Sequence, residues 1–168
     1  MQMAEGRTAS DPGAAAELRA AAAAQTREGI ADLRDLAAGI HPSVLTDQGL
    51  APAVDALASR LPIPVSVVAN LESRRLPTPV EASLYFFVSE ALANVVKHAR
   101  AAHARVRLCI EGSDLVVDVS DDGVGGATPT GNTGLAGLAD RIAALDGDLV
   151  VTSVPAQGTT LHATVPLI

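Results

Sequence analysis

RVRLCIEGSDLVVDVSDDGVGG (residues 105–126) contains two alternating runs joined by Gly-Ser, and the second run dissolves into glycines directly after a pair of aspartates. In the first run Val106, Leu108 and Ile110 share one face; in the second Leu115, Val117 and Val119 do. A period of two marks half-buried strands, and Gly112-Ser113 predicts a hairpin between them. Continuing the alternation puts Asp121 in the same layer as Val117 and Val119, while Asp122 takes the turn. A carboxylate facing an apolar layer must find donors, because desolvation otherwise penalises it. An adenine exocyclic amine is one such donor, and Gly123 and Gly125 would let the backbone approach a flat ring without side-chain obstruction. Asp-Gly turns are common, so this stretch alone decides little about function.

Working outward, "VEASLYFFVSEALANVVKHA" (80–99) predicts a long helix. Glu90, Asn94, Lys97 and His98 stand at i, i+4, i+7 and i+8 and form one polar stripe, opposed by Leu84, Val88, Ala91 and Val95. Taken alone, a solvated face explains this stripe equally well. Downstream, "GNTGLAGLADR" places Gly131, Gly134 and Gly137 at the start of another helix, where free amides and the helix dipole suit phosphate oxygens. In isolation an ordinary flexible loop before a helix is the better reading of that stretch. "DLVVTSV" and "TTLHATVPL", joined by "PAQG", predict two closing strands, and "IPVSVVAN" an earlier one. Short turns between strands imply mainly antiparallel pairing, with helices over one face.

Toward the N-terminus, "LAPAVDALASRL" (50–61) predicts a short amphipathic helix and "PSVLTDQGL" a turn-rich connector. Residues 14–40 carry a helical stripe of Leu18, Ala22, Ile30, Leu33, Ala37 and Ile40, stopped by Gly39 and Pro42. Such a helix cannot bury its stripe alone and calls for a partner helix. Residues 1–13, small and polar, predict a flexible start.

The composition excludes several classes. Hydrophobic residues are 48% of the 168 and charged ones 18%, enough for a packed core. The net charge of −7 comes with no basic cluster, and aromatics are only 2%, so a nucleic-acid surface is disfavoured. The single cysteine, Cys109, permits no internal disulfide and reads as a small packing residue. No apolar run approaches a membrane span and no secretory leader is visible, so the expected location is cytoplasmic, free or as the cytoplasmic part of a membrane-anchored sensor, with no direct membrane contact from this chain.

Taken together the motifs are far more specific than any one of them. The order Glu-x-x-x-Asn, Asp-x-Gly-x-Gly, a glycine loop before a helix and then "GTT" resembles the nucleotide-binding fold of the gyrase, heat-shock chaperone, histidine kinase and MutL superfamily. More narrowly, "EALANVVKHA", "VSDDGVGG", "GLAGLADRIAALDGDLVV" and "GTTLHATVPL" look like the ATP-binding domain of bacterial two-component sensor histidine kinases, in the subgroup that signals to LuxR/NarL-type response regulators. The resemblance implies an α+β, two-layer sandwich of the Bergerat type over residues 49–168. Its mixed, mainly antiparallel sheet is covered on one face and preceded by a long N-terminal helix. Residues 14–48 would then be the second dimerisation helix and its linker.

For the site, the resemblance implies ATP and Mg²⁺. Asn94 would ligate the cation through its amide oxygen, with Glu90 handling a water or proton beside it. Lys97 would offer charge to phosphate, and His98 would assist or cap the helix end. Asp121 would read adenine, supported by the Thr159 hydroxyl, while Gly123, Gly125, Gly131, Gly134, Leu135 and Gly137 would line the pocket and its lid. Only about eight residues separate Gly125 from Gly134, which implies a mobile lid and modest nucleotide affinity.

These kinases phosphorylate a histidine that is followed, in this subgroup, by an acid. His41, His98, His103 and His162 are followed by Pro42, Ala99, Ala104 and Ala163. The acceptor is therefore expected on a dimerisation helix outside this sequence, with a homodimer and a response regulator as partners. An anti-sigma-factor-like serine kinase would share the pocket but lack anything like residues 14–48. A gyrase- or MutL-like clamp would need a further transducer domain, and a purely helical interaction module would bind no nucleotide.

Overall fold

Alternation sets the sheet, as the quoted stretch requires. The computed structural model describes residues 42–71, 75–128 and 134–167. Within them run β1 (Val65–Asn70), β2 (Ala104–Glu111), β3 (Asp114–Asp121), β4 (Asp148–Ser153) and β5 (Thr159–Pro166). The strands lie in the order β1-β2-β3-β5-β4. β1 runs parallel to β2 and the other pairs are antiparallel, giving the expected mixed, mainly antiparallel sheet. The β2–β3 hairpin pairs Val106 with Val119 and Leu108 with Val117, so the apolar positions of both runs meet on one face. All four are buried, as are Leu161, Ala163 and Val165 of β5.

Helices cover that face: α2 (Leu50–Ala58) over β1, α3 (Thr78–Asn94) over β3, and α4 (Gly134–Ala143) over β4 and β5. Phe87, Leu84, Val88 and Leu92 of α3 are among its fully buried side chains, and Leu138 and Ile142 of α4 complete the layer. Each such side chain contributes about 1.5–3 kcal/mol relative to exposure. The opposite face is open. There Arg107, Asp118 and His162 stand in register across β2, β3 and β5, with Asp118 taking 2.6 Å contacts from both Arg107 Nε and His162 Nδ1. The anticipated helix at 14–40, His41 and the start at 1–13 lie outside the described residues.

Two local expectations need correction. The connector before residue 50 is helical: α1 (Ser43–Gln48) buries Leu45 and turns into α2 at Gly49, whose φ of +94° favours glycine. The long helix is not α-helical to its end either. After Asn94 it passes into a π-helical turn, Val95–Ala99, closed by Arg100 in the left-handed region. A period of 3.6 could not anticipate that change of winding.

An ion pair ties α1 to α3. Glu81, in the first turn of α3, is only 3% exposed and carries a negative charge into the core. Arg75 Nε and Nη2 donate to its two oxygens at 3.2 and 3.1 Å, and the Leu76 amide adds a third bond at 3.3 Å. The same guanidinium reaches the carbonyls of Thr46 and Asp47, which end α1 without intrahelical partners. Removing Arg75 leaves the carboxylate buried and short of donors. Because Arg75 is half-exposed, the expected loss for Arg75→Ala is about 1–3 kcal/mol in urea unfolding, with Arg75→Ala/Glu81→Met recovering most of it; equal stability of wild type and Arg75→Ala would show the pair to be incidental.

Candidate functional site

A cavity of about 470 Å³ opens between the C-terminal end of α3 and the ends of β3 and β5. Ala91, Val95, Val119 and Leu161 give it apolar walls, and besides Thr128 of the loop after β3 its polar side chains come from three separate parts of the chain. Asn94 and His98 enter from the helix, Asp121 from β3 and Thr159 from β5. Gly125, Gly134 and Leu135 close the rim.

The π-helical turn determines what the helix presents. Asn94, half-buried, and His98 line the cavity, whereas Lys97 is exposed and lies off the wall. Glu90 is also off the wall, yet it stands beside the start of α4. A Cβ placed on Gly134 would sit 3.4 Å from Glu90 Oε1 and 3.6 Å from Asn94 Nδ2. The N-terminus of α4, whose first amides have no partner within the helix, therefore lies against the two polar residues that the sequence pattern paired.

The glycines divide their work differently from the sequence reading. Gly123 does not line the cavity; a Cβ there would collide with the Ala99 carbonyl. Its smallness lets the Val124 amide bond Ala99 O at 2.8 Å, joining the end of β3 to the end of the helix. Gly125 does line the cavity, but its φ of +60° and the crowding of its missing Cβ against the Val154 carbonyl explain the residue without any ligand. Gly137 lies off the cavity with nothing within 4 Å of an added Cβ, and Gly131 falls outside the described residues.

Asp121 is half-buried and accepts the Gly123 amide on Oδ1 at 2.8 Å, which leaves its other oxygen for a donor in the cavity. Asp121, Thr159 and Ser153 stand in one row across β3, β5 and β4. The Thr159 hydroxyl bonds Ser153 Oγ at 2.8 Å, where support for Asp121 was expected. Ser153 had no place in the sequence reading, although the alternation Leu149, Val151, Ser153 carried the signal. Asp122, expected in a turn, instead anchors the segment before β2. Its Oδ1 accepts the amides of Ala102 and His103 at 2.8 and 2.9 Å, and its Oδ2 sits 3.1 Å from His103 Nδ1. The His103 backbone bond, then its side chain, hold the Asp122 carboxyl below its ordinary value of 3.8.

Comparison with known proteins places this arrangement. Residues 80–168 match the family described as histidine kinase-, DNA gyrase B- and HSP90-like ATPases. Sensor histidine kinase NarS of Mycobacterium tuberculosis is 37% identical over 146 residues, spanning 80% of this chain and 33% of NarS. Signal transduction histidine-protein kinase/phosphatase DegS of Brevibacillus brevis is 30% identical, spanning 84% of this chain and 38% of DegS. The chain thus spans about a third of the length of these relatives. Among solved structures, a blue-light activated histidine kinase of Erythrobacter litoralis aligns with a TM-score of 0.58 at 28% identity, over 70% of this chain and 39% of that one. The ATP-binding domain of PrrB from Mycobacterium tuberculosis aligns at 0.55 and 22% identity, over 71% of this chain and 91% of that one, which shows the shared fold.

Two outcomes follow from the geometry alone. Gly123→Ala forces the Ala99 carbonyl away and should cost about 2 kcal/mol or more on overpacking grounds, whereas the unobstructed helical Gly137→Ala should gain up to about 1 kcal/mol. Thermal unfolding of the two variants distinguishes the roles, and equal shifts would refute them. The second concerns pH. The folded Asp122 pKa lies below its unfolded value, so its stabilisation is present above that value and is lost as pH falls through the folded one. Wild type and Asp122→Ala should therefore converge in stability between about pH 5 and pH 2; a constant gap in pH-dependent melts would exclude the linkage.

Proposed function

Since the chain belongs to the histidine kinase-, DNA gyrase B- and HSP90-like ATPase family, and so is an ATP-binding domain of the histidine kinase type, we propose that it supplies the nucleotide-handling half of a phosphotransfer to histidine. The observation that carries this reading is the polar division of the cavity: a half-bonded carboxylate at one end, and Asn94 with the α4 N-terminus at the other. Asp121 takes the adenine amine on its remaining oxygen, and the apolar walls of Val119 and Leu161 receive the flat ring. The phosphates then point toward α4, where amides and dipole favour anions.

The donors around Asn94 fit Mg²⁺. The cation prefers oxygen, uses few protein ligands and completes its shell with water and phosphate. Asn94 offers its amide oxygen, and Glu90, beside the same helix start, acts through water. When bound, the cation neutralises charge on the β- and γ-phosphates. Asn94 holds the triphosphate in line, Glu90 orients the water or proton near the γ-phosphate, and exposed Lys97 is a point charge for outlying phosphate oxygens.

The phosphoryl acceptor is a histidine on a dimerisation helix outside this sequence, because none of His41, His98, His103 and His162 has an acidic neighbour. Onward transfer goes to a response-regulator aspartate, of the LuxR/NarL type on the sequence resemblance, within a homodimeric kinase. Calorimetry should show Mg²⁺-dependent ATP and ADP binding, at least about tenfold weaker in Asp121→Asn and stripped of its Mg²⁺ dependence in Asn94→Ala. Labelled ATP should leave little phosphate on the purified chain. Stable phosphohistidine at residue 41, or unchanged binding in Asp121→Asn, would overturn the assignment.

A further inference from the structure

β4 and β5 carry an unassigned hydrogen-bond chain at the cavity rim. The Ala127 amide donates to Ser153 Oγ at 2.9 Å, and Ser153 Oγ lies 2.8 Å from Thr159 Oγ1. Thr159 and Ala127 line the cavity, and Ser153 stands behind them without lining it. One serine hydroxyl thus joins the floor of the cavity to the loop that follows the Asp121 turn.

Donor capacity limits the direction of the chain. A backbone amide only donates, so Ser153 Oγ must accept from Ala127 and has one proton to give. If Thr159 donated to Ser153, the serine proton would be left behind the cavity wall, where no partner stands among the described residues. If Ser153 donates to Thr159, the spare proton is that of Thr159, on the wall, where a ligand or water can accept it. Both hydroxyls are part-buried, and the second arrangement is the one that turns a donor toward the ligand space.

We propose that Ser153 is a positioning residue for the nucleotide site: it pins the Gly125–Ala127 wall through the Ala127 amide and orients the Thr159 hydroxyl as a donor into the cavity. The proposal rests on the nucleotide reading for its ligand, but its anchoring part needs no ligand. The register supports it, because Ser153 pairs with Thr159 and Thr159 with Asp121, so the base-facing carboxylate, the hydroxyl and the anchor share one row. Near this anchor Gly125 and Gly126, with φ of +60° and +77°, give the wall backbone freedom that a hydrogen bond can restrict.

The test combines exchange and binding on the full chain. In Ser153→Ala without nucleotide, the Ala127 amide should exchange about tenfold faster or more, with no comparable change at core amides. ADP binding should weaken about threefold to tenfold, the range for losing one neutral hydrogen bond. Ser153→Thr, which keeps the hydroxyl, should restore both, and Thr159→Val should weaken ADP binding while leaving Ala127 protected. Unchanged Ala127 exchange in Ser153→Ala, or equal ADP affinity of that variant and wild type, would overturn the role. If wild type itself bound no nucleotide, the functional reading would fail, and Ala127 exchange would still decide whether Ser153 anchors the wall.

Discussion

The 2.8 Å bond from the Val124 amide to the Ala99 carbonyl fixes two chain segments that are far apart in sequence, and most of the site depends on that joint. Asn94 and His98 lie just before Ala99, while Asp121 and Gly125 lie on either side of Gly123-Val124. The bond forms only because residue 123 has no side chain to hold the two backbones apart. One steric vacancy therefore sets the distance between Asn94 and His98 on the helix side of the cavity and Asp121 on the strand side. The π-helical turn belongs to the same joint, since it delivers the Ala99 carbonyl to the loop while turning His98 onto the cavity wall.

The two faces of the sheet explain where chemistry can occur. On the covered face the rows are apolar until the strand ends, where Asp121, Thr159 and Ser153 replace the aliphatic residues in register. Polar groups there are tolerable because the cavity gives access to solvent or ligand, and because each has a bond to the backbone or to its neighbour. On the open face Arg107, Asp118 and His162 form a similar cross-strand row, away from the cavity described above. Exposed pairs of that kind are worth little in stability. That row serves the surface, and the covered row serves the site.

The sequence made the sheet and its register legible, because alternation is a backbone property that survives folding: Val106, Leu108, Val117 and Val119 are all buried on one side. Asp121 was legible for the same reason, as the continuation of that alternation into the strand end. What alternation and helical period could not report was tertiary contact. Gly123 reads in sequence like a residue making room for a ligand, and only the position of Ala99 shows that it makes room for the protein's own backbone. The change of winding after Asn94 is invisible to a 3.6-residue pattern, so Lys97 is given the phosphate and His98 at most a supporting part, although of the two only His98 lines the cavity. Arg75 and Glu81 escaped notice because a buried carboxylate looks the same in sequence as a solvated one.

Under the proposed reading a nucleotide is gripped at both ends of the cavity: the sheet would supply the base end and helix termini the phosphate end. The base end is built on regular strands with the side chains locked by cross-strand bonds, which gives it rigidity before ligand arrives. The phosphate end uses the start of α4 and the last α-helical turn of α3, whose polar groups Glu90 and Asn94 lie within about one atom layer of Gly134. In the proposed phosphotransfer that difference in support would suit the ligand, because the phosphoryl group has to leave the site in each cycle whereas the ring needs only to be held.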